Sequence, residues 1–230
     1  MYEHNDPTRI PRVMEALQRT WEGQPDLTLG ALLGVLANHG VGWASTDSET
    51  VEILAKIEHE HPSLIDAHPP HHLNIETISP ERLVTLAGDT VVVRDGRGKH
   101  SMPSVWRFVS LRRTGPGRPL VMKDEQGIEH RVGVVKLATR IADTAHEIGH
   151  LRRSDVGGRR WFVQLRGDAR VIVGPRVKLW VQARRTISFS ELDWSSMYCE
   201  VGAEMILAPA DGGEAVELGR VERIVALEVN

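Results

Sequence analysis

From Thr90 onward, the apolar residues of this 230-residue chain come in short runs cut at close intervals by glycine and proline. That punctuation limits the fold more than any other feature. Runs of about four to eight residues rich in β-branched and aromatic side chains, bounded by turn residues, read as strands. Residues 90–94, 105–112, 120–123 and 129–133 are such runs, separated by Asp95-Gly96, Gly115-Pro116-Gly117 and Gln126-Gly127. Residues 161–165, 169–173, 177–183, 205–207 and 221–229 continue the pattern.

The first sixty residues read differently. Val13, Leu17 and Trp21 recur four apart behind Thr8, and Gly23 to Pro25 stop that helix. Asp26 is the expected cap of a second helix bearing Leu27, Leu29, Leu32, Leu33 and Leu36, which Gly40 ends. Thr46-Asp47-Ser48-Glu49 forms a capping box, and the helix it opens places Val51, Leu54 and Ala55 inward. Three short helices suit a helix-turn-helix, yet none is rich in Arg, Lys, Asn or Gln as a recognition helix would be. The stretch from Arg9-Ile10-Pro11-Arg12 to Pro25-Asp26-Leu27-Thr28-Leu29-Gly30 resembles a short bacterial domain of unknown function, which implies no activity.

Between His59 and His72 stand five His (His59, His61, His68, His71, His72) and three Pro (Pro62, Pro69, Pro70). Proline forbids continued helix, so this tract reads as a linker, with metal binding as the sharper reading. Ser79-Pro80-Glu81 reads as the capped start of one short helix.

Val134, Leu137, Ile141, Ala145, Ile148 and Leu151 fall three and four apart, which predicts an amphipathic helix over 134–153. Its opposite face carries His146, Glu147 and His150, an H-E-x-x-H pattern that sets two imidazoles one turn apart beside a carboxylate, with Asp143 a turn earlier. Neutral imidazoles bind Zn²⁺, and the carboxylate can take a proton from bound water. The same residues also read as the solvated face of a surface helix. The run Thr144-Ala145-His146-Glu147-Ile148-Gly149-His150-Leu151 resembles the active-site helix of the zincin metallopeptidases. The resemblance implies His146 and His150 as zinc ligands and Glu147 as general base. No His follows His150, so a third ligand has to be a carboxylate: Asp155, Glu191, Glu200 or Glu204, with Glu200 and Asp155 preferred.

Charge is segregated along the chain. Residues 1–104 hold 8 basic and 15 acidic side chains, residues 105–186 hold 18 and 7, and residues 187–230 hold 2 and 9. A basic block suggests nucleic acid or an acidic protein as partner, unless the acidic ends pair with it. Within it, Trp106-Arg107, Arg159-Arg160-Trp161 and Lys178-Leu179-Trp180, followed by Arg184-Arg185, interleave rings that stack on bases with cations that neutralise phosphates.

The sequence therefore predicts an α+β fold. A helical N-terminal unit (1–58) and a His/Pro linker (59–78) precede a larger, mainly β mixed domain (79–230) with one central amphipathic helix. Two functional readings follow: a zinc-dependent hydrolase acting on a peptide or protein, or a non-enzymatic binding module, either a protein-interaction scaffold or a nucleic-acid binder. Cys199 is the only cysteine, which excludes an internal disulfide. With no signal-like start and no apolar run of membrane-spanning length, a cytoplasmic protein is expected.

Overall fold

The computed structural model, which describes residues 6–96, 100–141, 148–184 and 186–228, is mostly β. Among those residues there are three α-helices, α1 (Arg9–Gly23), α2 (Leu29–Asn38) and α3 (Asp47–Glu60). Six strands follow: β1 (Leu73–Ile78), β2 (Arg82–Ala87), β3 (Thr90–Asp95), β4 (Ser104–Leu111), β5 (Pro119–Asp124) and β6 (Glu129–Arg140). They close into a barrel in chain order. Eight more, β7 (Gly149–Arg152), β8 (Arg160–Leu165), β9 (Arg170–Val173), β10 (Val177–Gln182), β11 (Ile187–Leu192), β12 (Trp194–Cys199), β13 (Glu204–Pro209) and β14 (Val216–Glu228), form one sheet. Its order is β11-β10-β9-β8-β14-β13-β12-β7. This overturns the α+β expectation of a helical unit followed by a mixed domain with a central helix. No described helix is long and apolar enough to cross a membrane.

By contacts the chain divides into two compact units, residues 1–83 with 107–140 and residues 84–106 with 141–230. In the first, the helices share a core of Ala16, Leu36, Leu54 and Ile57. The face of α1 that is buried carries small residues, Ala16, Thr20 and Gly23, rather than the larger Val13, Leu17 and Trp21. The Thr20 hydroxyl donates to the Leu54 carbonyl at 3.1 Å. A Cβ on Gly23 would lie 2.1 Å from the His61 carbonyl oxygen, so only glycine lets the end of α1 approach the end of α3. Thr28, not Asp26, caps α2 through its side chain, and the Thr46–Glu49 capping box opens α3 as expected. Ile57 is buried where Ala55 had been expected.

Residues 134–140, the start of the predicted central helix, belong to β6, and residues 149–152 belong to β7. The reason lies in the ladder. Glu76 of β1 opposes Leu137 while Thr77 opposes Val135, so β6 carries one extra residue between them. That bulge slips the strand's period-two alternation by one position and puts the buried Val135 and Ala138 three apart, which imitates helical spacing. A cluster of β-branched residues, Val132, Val134 and Val135, favours the extended chain. Gly149 has φ +56°, which breaks any helix running into β7. The predicted helix start at Ser79-Pro80-Glu81 is instead the turn between β1 and β2.

In the second unit, one face of the sheet packs Trp161, Val163, Val171, Trp194, Met197 and Leu207 into the main core. The other face of β8 and β14 buries Phe162, Val225 and Leu227 with Val92 of β3. The 84–106 segment is tied down there by polar contacts as well. Arg94 pairs with Glu228 at 3.0 Å, Arg223 donates to Thr90 Oγ1 at 2.7 Å, and the Trp180 indole N–H donates to the His100 carbonyl at 2.7 Å.

Candidate functional site

His146 and Glu147 lie outside the described residues, as does Arg185. His150 sits on β7 opposite Tyr198 of β12, exposed, with the two ring centroids 4.7 Å apart. Strand pairing puts His150, Arg152, Ser196, Tyr198, Ile206 and Ala208 on one face of β7, β12 and β13, because partners across a ladder share a face. Leu151, Met197 and Leu207 alternate onto the other face and are buried. The exposed face, with Asp155 at its rim, forms an open groove of about 870 Å³.

Asp155 lies in a 3₁₀ turn (Arg153–Asp155) and accepts from Ser154 Oγ at 2.8 Å. Glu200 follows β12, not a helix, and its carboxylate accepts from the Tyr198 hydroxyl at 2.5 Å. That hydrogen bond, with desolvation and the carboxylate charge behind it, pushes the phenol above its ordinary pKa. Glu191 pairs with Arg176 at 3.4 Å on β11, and Glu204 begins β13. The groove thus gathers His150 and Asp155, with Glu200 joined to it through Tyr198. Among the described residues, no three His, Cys, Asp or Glu side chains stand close enough to hold one metal ion. His150 itself lies on an extended strand and not on a helix.

The interleaved rings and bases separate by depth. Trp161 and Trp180 are each 2% exposed, so their faces meet core side chains and not a base. Trp106 is half-buried. The Arg159 guanidinium lies 5.3 Å from the Trp161 ring centroid, and Arg160 donates to the Arg159 carbonyl at 3.1 Å. Arg107 pairs with Glu125 at 3.3 Å, Lys178 stands opposite Glu191 in the β10–β11 ladder, and Arg184 is exposed. Other cations of the basic block also meet acids from both acidic ends. Arg113 pairs with Asp66 at 3.1 Å, Lys136 with Asp26 at 3.5 Å, and Arg176 with Asp193 at 3.4 Å. Exposed pairs of this kind add little stability, but they consume the charge on which a nucleic-acid interface would draw.

A different surface, absent from the sequence-based reading, stands out in the first unit. α2 reads LGALLGVLAN and has no charged residue. It buries Leu32 and Leu36 and leaves Leu29 at 44% and Leu33 at 51% exposure. Just beyond it, in the loop to α3, Trp43 is fully exposed. Gly30 and Gly34 lie one turn apart beside Leu29 and Leu33, and a Cβ at either would meet nothing within 4 Å. A helix apolar on all sides belongs in a core, yet this one has water along half its circumference. Burying an indole removes about 150–250 Å² from water, a gain of about 4–6 kcal/mol. The clue in the sequence was an excess: three short helices cannot bury every leucine of α2 and also Trp43.

Compared with known proteins, the chain matches no family model, no curated protein and no solved structure.

Proposed function

We propose that this protein is a non-catalytic protein-interaction module whose partner docks along α2 and Trp43. The observation that supports this reading is the combination of an uncharged helix with exposed Leu29 and Leu33 and a fully exposed indole at its end. Tryptophan is among the side chains most enriched at the energetic centres of interfaces. The absence of charge along α2 rewards an apolar partner surface, and the open positions at Gly30 and Gly34 let a second helix axis come close. The occupant is therefore an apolar, uncharged helix of another protein.

The zinc-hydrolase reading draws on fewer observations, since His150 and Asp155 share a groove but converge with no third ligand among the described residues. A photo-crosslinking amino acid in place of Trp43, introduced in the producing cell, tests the proposal. A discrete covalent adduct with one protein is expected, and Leu33→Asp abolishes it while leaving the thermal unfolding midpoint unchanged. An adduct indifferent to Leu33→Asp, an adduct between two copies of this chain, or no adduct overturns the proposal. Stoichiometric zinc in the purified protein, lost in His150→Ala, would return the weight to hydrolysis.

A further inference from the structure

The His/Pro tract builds a second site, independent of α2 and unconnected with the interaction reading. His59 lies in the last turn of α3, His71 precedes β1, and Arg140 ends β6 opposite Leu73. Together they line a groove of about 350 Å³ whose walls include Pro62, Pro69 and Pro70. The two imidazole centroids are 5.7 Å apart, edge to face. Arg140 reaches both rings: Nη1 meets His59 at Nε2, with Nδ1 at 3.1 Å, and Nη2 donates to His71 Nδ1. A guanidinium has only donors, so the imidazole nitrogens it meets act as acceptors in this arrangement.

The carboxylates of the groove are engaged elsewhere. Glu58 is held by Arg19 at 3.2 Å and by the Ser63 hydroxyl at 3.2 Å, and Asp66 is held by Arg113 at 3.1 Å. The partners of Arg140 among the described residues are imidazoles, which hold a guanidinium in place without neutralising it. A cation in this state, facing a groove with proline walls, is suited to an oxyanion that carries an apolar body.

We propose that this groove binds a small organic anion, its carboxylate or phosphate paired with Arg140 and its apolar body laid on the prolines. The oxyanion takes over the guanidinium donors from the two imidazoles. Among the described residues that line the groove with Arg140, the carboxylates are Glu58, paired with Arg19, and Asp66, paired with Arg113. A divalent cation is disfavoured because Arg140 stands between the two rings.

Calorimetric titration of the full chain tests the proposal with four probes: benzoate, phenyl phosphate, acetate and inorganic phosphate. The aromatic anions are expected to bind about tenfold or more tighter than acetate and phosphate, since only they bring an apolar body. Preference between benzoate and phenyl phosphate tells a carboxylate ligand from a phosphate one. Arg140→Leu is expected to lose this binding and His71→Gln to weaken it, the latter variant serving should the former fail to fold. No binding of either aromatic anion up to millimolar concentration, or equal affinity in wild type and in folded Arg140→Leu and His71→Gln variants, overturns the proposal. So does micromolar zinc binding that His71→Gln abolishes.

Discussion

Cys199 closes β12 with no exposed surface inside the main core of the second unit, and burial pushes its thiol up to about 12. At about pH 8 its thiolate fraction is then on the order of one in ten thousand, and the thiolate is the reactive form. Native protein should therefore resist iodoacetamide for hours and take up one equivalent once unfolded in urea. Rapid alkylation of the native protein would contradict the packing described for β12. From sequence, a lone cysteine such as Cys199 reads as a small buried apolar residue, and its placement agrees. Trp161 and Trp180 show the opposite case. Their spacing beside arginines looked like a stacking surface, but alternation along a strand also puts rings inward and cations outward, and only the fold decides which face meets water. Trp43, the most exposed ring of the described chain, had no periodic neighbours and so left no pattern to read.

At the scale of elements, local chemistry was legible where it acts within a few residues. The Thr46–Glu49 box, the stop after Gly23, and the turns at Gly117 and Gln126-Gly127 all stand as read. β11 escaped because it alternates serine with single apolar residues, β12 because two adjacent serines interrupt it, and β1 because its start is fused to the His/Pro tract. The β6 bulge gave a strand the apolar spacing of a helix, which is why residues 134–140 read as one. The β5–β6 hairpin carries a testable electrostatic device. Asp124 accepts from His130 at 2.7 Å and from the backbone N–H groups of Gln126 and Ile128. The His130 bond first, then the two backbone bonds, hold its carboxyl below the ordinary value of 3.8. A carboxyl lowered in the folded state stabilises it above the unfolded value, and the contribution is lost as pH falls through the folded value. Asp124→Asn should therefore lower the thermal midpoint more at about pH 5 than at about pH 2. An equal loss at both would show that the side chain acts by shape alone.

For the molecule as a whole, strand content was legible and architecture was not. Nine of the fourteen strands among the described residues overlap runs that the turn signals delimit. Closure of six strands and the eight-strand order depend on pairings between residues far apart in sequence, such as Leu73 with Arg140 and Val221 with Leu165. No local signal encodes these. Charge patterning pointed to a basic partner surface, but the fold sets many of those cations against acids from both ends of the chain. Along α2 and Trp43 the described chain leaves apolar surface uncovered. Hydrogen–deuterium exchange of the protein alone and with the partner captured at position 43 tests that claim most directly. The account predicts new protection confined to α2 and the 39–45 loop. Protection centred instead on β7 and β12, around His150 and Tyr198, would contradict it and return the function to that groove.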